Sequence, residues 1–144
     1  MKLLVVDDNL EQRARIVAAA QEAGLHDITE AADLEAGATE IATGDFDMAV
    51  FDMELVPKSR REDGLILVEK LRNKNPESCI VVVTAMFDDK AGVRALHAGA
   101  DDFITSQLLG VNWDILLENR LRMWAEFTAG RISRKRSRLA EATT

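Results

Sequence analysis

The sequence predicts an α/β protein whose strands run parallel in one doubly wound sheet, followed by an extended C-terminal helix. Three observations carry this. Short β-branched runs alternate with amphipathic segments along most of the chain. Crossovers of that length between parallel strands are right-handed, and they place helices on both faces of a sheet. The first, third and fourth strand segments are nearly all apolar, as central strands buried on both faces must be.

The first strand covers about Lys2 to Val6, and the first helix follows from Asn9, a good N-cap, through Gln21 to a stop at Gly24. A second strand, about Asp27 to Glu30, is polar enough to lie at an edge. The second helix starts at the cap Asp33 and stops at Gly44, and the third strand is Met48 to Phe51. A long loop then runs from Asp52 to about Glu62. The third helix covers Gly64 to Asn73 and ends before Asn75 and Pro76. The fourth strand is Cys79 to Val83, the fourth helix about Asp88 to Ala98, and the fifth strand Asp102 to Thr105. A last helix begins near Asn112 and runs past Arg136.

At 144 residues and 47% apolar content the chain suits one globular core. Its net charge of -7 hides an asymmetry. Residues 1 to 118 carry 11 Lys and Arg against 23 Asp and Glu, a net of -12, while residues 119 to 144 carry 7 against 2, a net of +5. A domain over residues 1-122 with a basic helical extension or linker over 123-144 is therefore expected. The lone Cys79 lies in an apolar run, where a small buried hydrophobe is the expected role. The start of the chain shows no targeting presequence, and no apolar run approaches the roughly 20 residues that span a bilayer. A cytoplasmic protein with no membrane association is expected.

The chemistry-bearing residues sit at strand ends. Asp7 and Asp8 follow the first strand, Asp52 the third, Thr84 and Ala85 the fourth, while Asp102 to Ser106 contain the fifth. A parallel sheet gathers the carboxyl ends of its strands along one edge, so these fragments meet there. Each has an ordinary reading alone: an acidic pair after a strand is a common turn and N-cap signal, and threonine often ends a strand. Together, in this order, they describe a carboxylate pocket that needs a cation.

These motifs resemble the receiver domain of two-component response regulators: the acidic pair, the lone Asp52, Thr84 with Ala85, and the run Gly99, Ala100, Asp101, Asp102, Phe103, Ile104, Thr105. The resemblance implies a flavodoxin-like (βα)5 three-layer sandwich with a five-stranded parallel sheet of order 2-1-3-4-5. It implies that Asp52 is the phosphoacceptor. It also implies Mg²⁺ held by the carboxylates of Asp8 and Asp52 and the backbone carbonyl of Glu54, with Asp7 helping through water. Such hard oxygen donors suit that ion. Thr84 would be the switch hydroxyl and Phe103 the aromatic that turns inward with it. Asp101 and Asp102 are expected to be structural or solvated. The implied partner is a histidine kinase or phosphotransfer protein.

Two departures from the family pattern stand out. Ser106 and Gln107 replace a lysine and a proline, and serine cannot supply the lysine's charge to a phosphoryl oxygen. The loop after Asp52 is longer by roughly four residues, judged from Pro57 and Gly64, and it contains Lys58, Arg60 and Arg61. Those cations either form a solvated turn or bring one charge toward the site in place of the lysine.

In the last helix Trp113, Leu117, Leu121, Trp124 and Thr128 follow helical spacing, with Leu116, Met123 and Phe127 widening the apolar face. The first half is expected to pack on the sheet. From Trp124 onward the helix is expected to project beyond the domain, as a frayed tail, as a surface for a homodimer, or as a connector to an output domain beyond residue 144. Nucleic-acid binding by the basic end is disfavoured, since no aromatic or known fold accompanies it. Three functions compete: a phosphoaccepting receiver, a pseudo-receiver binding module working without phosphorylation, and an enzyme or flavin carrier of similar topology. The third is disfavoured because Asp52, Met53, Glu54 lacks the second aspartate of an aspartyl-phosphatase, and no phosphate-cradling loop follows the first strand. A turnover enzyme is not expected.

Overall fold

Residues 1–55, 62–85, 90–106 and 112–143 are described by the structure, a computed structural model. Among the described residues five strands, β1 (Lys2–Val6), β2 (Asp27–Ala31), β3 (Met48–Asp52), β4 (Cys79–Thr84) and β5 (Asp102–Thr105), alternate with five helices. The helices are α1 (Leu10–Glu22), α2 (Leu34–Thr43), α3 (Gly64–Lys74), α4 (Ala91–Ala98) and α5 (Trp113–Ala142). Neighbouring strands pair in parallel in the order β2-β1-β3-β4-β5, which is the flavodoxin-like arrangement the sequence predicts. The loop cations Lys58, Arg60 and Arg61, the start of the fourth helix at Asp88, and Gln107 lie outside the described residues.

The two-residue period of a strand divides the core. Leu3 and Val5 of β1, Met48 and Val50 of β3 and Cys79, Val81 and Val83 of β4 pack on the face covered by α1 and α5. Leu4, Val6, Ala49, Phe51, Ile80 and Val82 pack on the face covered by α2, α3 and α4. Each such side chain contributes roughly 1.5–3 kcal/mol when fully buried, so both faces together fix the central strands and their register. By contrast β2 is exposed at Asp27 and Glu30 and buried only at Ala31, as an edge strand. Cys79 is fully buried, and burial, assisted by the nearby Asp101 charge, pushes its thiol up to about 12. It serves as a small core residue, not a nucleophile.

Helix ends follow their capping residues. Asn9 and Asp33 accept the backbone N–H of Gln12 and Ala36, and α4 stops at Gly99 in the left-handed region, φ +119°. A side chain at Gly99 would also press on Arg72. Arg72 needs that space, because its guanidinium donates to the carbonyls of Pro76, Ser78 and Gly99 and to Asp101 at 2.6–2.9 Å. Asp101 in turn accepts the Ile80 N–H at 2.8 Å, tying the approach to β5 onto β4. The structural role expected for Asp101 is what its contacts describe.

The long helix departs from expectation in its second half. It does not leave the domain at Trp124. Trp113, Leu117, Leu121, Ala125 and Thr128 form one buried row, so the helix stays seated past that point, and Lys135 reaches Glu77 at 3.5 Å. Ala125 takes the place in the row that hydropathy assigns to Trp124, which is half-buried and donates from Nε1 to Asp102 at 3.0 Å. Asp102 also accepts two bonds from Arg120, at 2.9 and 2.8 Å. Met123 and Phe127 remain 49% exposed.

Asp102 is therefore the main polar anchor between β5 and α5. Asp102→Ala leaves the Trp124 indole N–H and a partly exposed guanidinium without their acceptor, which costs about 1–2 kcal/mol. Urea unfolding is expected to show that loss together with a red-shifted Trp124 emission.

Candidate functional site

The carboxyl ends of β1, β3 and β4 lie side by side because the register pairs Val6 with Phe51 and Asp52 with Val83. Asp7 and Asp8 leave β1, Asp52 ends β3, and Thr84 ends β4 one residue beyond the partner of Asp52. Asp7 is fully buried, Asp52 is 7% exposed and Thr84 1% exposed. One carboxylate oxygen from each of Asp7, Asp8 and Asp52 lies within 4.8 Å of the others. Two full charges at that 4.8 Å limit repel by about 3.5 kcal/mol at an effective dielectric of ~20.

The electrostatics follow from this crowding. Burial first, then the charge of Asp7, pushes Asp52 up to about 8, while the Glu54 N–H at 3.2 Å on Oδ1 pulls the other way and Asp8 adds to the rise. Asp7 is also raised, mainly by burial, although Asn9 N–H at 2.9 Å and Gln12 Nε2 at 2.6 Å both donate to its carboxylate. Thus the cluster carries less negative charge than three ordinary carboxylates would. Its donors are all hard oxygens, with no sulfur or imidazole, so the site fits a small divalent cation.

A pH dependence with a definite sign follows. The folded-state affinity of Asp52 for a proton exceeds that of the unfolded chain, so its contribution makes stability fall as pH rises from the ordinary value of 3.8 toward about 8. Chelator-treated protein should unfold at less urea near pH 8 than near pH 5. Saturating Mg²⁺ should flatten the difference, and Asp52→Asn should reduce it; a dependence unchanged in that variant would assign it elsewhere.

Thr84 and Phe103 lie on the two neighbouring strands β4 and β5. Phe103 is partly buried on the α4 side, and Gly92 makes room for it: a Cβ there would stand 3.2 Å from the ring. Ser106 directs its hydroxyl to the Thr84 carbonyl at 3.4 Å. Among the described residues no lysine or arginine pairs with Asp52.

Three residues at the site escaped the sequence reading. Gln12 and Arg13, in the first turns of α1, hold Asp7 by its carboxylate and, at 2.8 Å, by its backbone carbonyl. Arg13 is itself braced by Glu30 at 3.1 Å. Gly64 opens α3 directly under Asp52, with its N–H on the Met53 carbonyl at 2.9 Å. The helical offset of Gln12 and Arg13 from the Asn9 cap is the signal that could have found them.

Comparison with known proteins places this edge in context. Residues 3–108 match the family model described as the response regulator receiver domain. The chain belongs to that family. The receiver is 33% identical over 105 residues to the transcriptional regulatory protein PhoP of Escherichia coli (strain K12), a match covering 73% of this chain and 45% of PhoP. It is 32% identical over 105 residues, again 73% and 45%, to the transcriptional regulatory protein DltR of Streptococcus agalactiae. The receiver thus spans about half the length of the curated relatives it matches. Among solved structures it resembles a CheY-like receiver domain protein from Methanospirillum hungatei, with TM-score 0.73, 26% identity and coverage of 90% of this chain and 97% of the other. It also resembles NtrX from Brucella abortus, with TM-score 0.70, 25% identity and coverage of 96% and 28%. Both of these relatives are named as transcriptional regulatory proteins. Among the described residues no helix is long and apolar enough to cross a membrane.

Proposed function

We propose that Asp52 accepts a phosphoryl group from a histidine kinase or phosphotransfer protein in a cytoplasmic two-component phosphorelay. The convergence of Asp7, Asp8 and Asp52 within 4.8 Å at the edge where Thr84 ends β4 carries this reading. In the step, an Asp52 carboxylate oxygen attacks phosphorus in line, the phosphorus–nitrogen bond of the donor phosphohistidine breaks, and the imidazole nitrogen keeps the electron pair. Asp8, Asp52 and the Glu54 carbonyl would hold Mg²⁺, with Asp7 acting through water. When bound, that ion supplies charge neutralisation at the transferring phosphoryl oxygens. Gln12 and Arg13 keep Asp7 oriented, and the Glu54 N–H holds one Asp52 oxygen so that the other is presented.

The readout would run through Thr84 and Phe103 to the face formed by α4, β5 and α5. The buried row and the Asp102 anchor support α5 as the element that carries a change onward. The half-exposed Met123 and Phe127 support a homodimer through that helix, and the relatives' greater length supports an output domain beyond residue 144. On this reading residues 1-122 form the receiver and 123-144 the basic helical connector.

A pseudo-receiver reading rests on one observation, the Ser106 hydroxyl turned to the Thr84 carbonyl where the family lysine would serve the phosphoryl group. The two separate in one titration. Beryllofluoride with Mg²⁺ should shift the resonances of Thr84 and Phe103 in the receiver, and no shift would favour the pseudo-receiver. Ser106→Lys restores a charge-assisted contact of the kind worth at least ~1.4 kcal/mol, so acetyl-phosphate labelling should accelerate about tenfold or more.

A further inference from the structure

We propose that the groove between the distal half of α5 and the amino-terminal edge of the sheet is a second binding site, for a small oxyanion such as a phosphate monoester or a polycarboxylate. It lies at the opposite end of the strands from Asp52. The groove encloses about 290 Å³, room for an oxyanion with a modest organic substituent, and Asn75, Glu77, Thr128, Arg131, Lys135 and Arg136 are among the residues that line it.

Two buried polar atoms in this lining have no nitrogen or oxygen partner, Thr128 Oγ1, which lies against the Cys79 thiol, a weak partner, and Arg131 Nε. Thr128 is only 2% exposed. A buried donor left without an acceptor costs about 1–3 kcal/mol, so two on adjacent turns of one helix call for a physical reason. An acceptor entering between them would satisfy both after a small side-chain adjustment. The charges agree. Among the described residues Arg131 and Arg136 pair with no carboxylate, and the Arg131 guanidinium rests over the Phe127 ring at 4.9 Å, which leaves its donors uncommitted to an anion.

Two acids also border the groove, and each is already engaged. Asp47 accepts the Lys2 N–H at 2.9 Å, and Glu77 faces Lys135 at 3.5 Å. An oxyanion at Arg131 would therefore meet Arg136 and the Thr128 hydroxyl as new partners, with Lys135 able to share its charge. Since Asn75 precedes β4 and the donors Thr128, Arg131, Lys135 and Arg136 belong to α5, a bound oxyanion would clamp the distal helix onto the domain.

The test is a titration of the ¹⁵N-labelled protein with inorganic phosphate and, separately, with citrate, followed at the Arg131 side-chain Nε–H and the amides of Asn75 and Thr128. Chloride at matched ionic strength is the control. Saturable shifts confined to these residues are expected, with affinity at least tenfold weaker in Arg131→Met and several-fold weaker in Arg136→Gln. The Arg136 side is exposed, so that second variant leaves the fold intact. Saturation by phosphate alone would assign the phosphate class, and saturation by citrate alone the carboxylate class. Shifts that grow linearly with either salt, that match chloride, or that survive both substitutions would overturn the site. Shifts that appear only at Thr84 and around Asp52 would overturn it too, by assigning the anion to the other end of the sheet.

Discussion

Asp52→Asn is expected to make the metal-free protein more stable while abolishing phosphoryl acceptance. The wild-type carboxylate is buried against Asp7 and Asp8, which raises its affinity for a proton to about 8. An amide of the same shape is neutral without taking up a proton beside Asp7 and Asp8, and it keeps an oxygen for the Glu54 N–H. Near neutral pH the wild-type carboxyl must bind a proton to fold, so sparing that cost should stabilise the variant by about 1–3 kcal/mol. Urea unfolding in chelator checks this, and the gain should shrink when Mg²⁺ is added to both proteins. A wild type whose stability matches the variant in chelator would mean that the cluster is not strained. The expected pairing of higher stability with lost function is typical of a site kept for chemistry at a cost to the fold.

The second large effect concerns Gly64, a residue with no reactive group. A Cβ at this position would overlap the Asp52 carbonyl oxygen and lie 2.9 Å from the Met53 Cα. Both neighbours are backbone, so neither yields by a rotamer change. Gly64→Ala must push the first turn of α3 away from the end of β3, breaking the N–H contact to the Met53 carbonyl and displacing Asp52 with it. A loss of about 3–5 kcal/mol is expected, within the range of backbone-clash substitutions. Labelling of Asp52 should fall far more than the folded fraction does. Measuring both on one sample distinguishes this from simple unfolding, in which the two decline together.

Much of this was legible in the chain. The strand pattern states which strands are central, because β1, β3 and β4 are apolar at every turn of the two-residue period while β2 is not. Once the strands are parallel, Asp7, Asp8, Asp52 and Thr84 must share an edge, so short motifs sufficed to locate the site. What hydropathy does not encode is close approach and polar seating. Gly64 is read from sequence only as a spacing marker, although the backbone beneath it fixes its identity. The grip of Gln12 and Arg13 on Asp7 depends on which turn of α1 overhangs the strand end.

The distal part of α5 was hidden for the same reason. Its seating uses Ala125 and Thr128, a small residue and a polar one, which continue the row of Trp113, Leu117 and Leu121 by steps of four and then three residues. A search for large apolar residues selects Trp124 instead and releases the helix too early. Asp102 looks like surface charge in sequence, yet it is the acceptor for Arg120 and Trp124.

The most direct measurement of the central claim is the intact mass of the protein after incubation with acetyl phosphate, with and without Mg²⁺, followed by peptide mapping. One phosphoryl group per chain is expected with Mg²⁺, on the peptide containing Asp52, alkali-labile as an acyl phosphate and absent from Asp52→Asn. An unmodified wild-type chain with Mg²⁺ present, or a phosphoryl group that persists in Asp52→Asn, would contradict Asp52 as the phosphoacceptor.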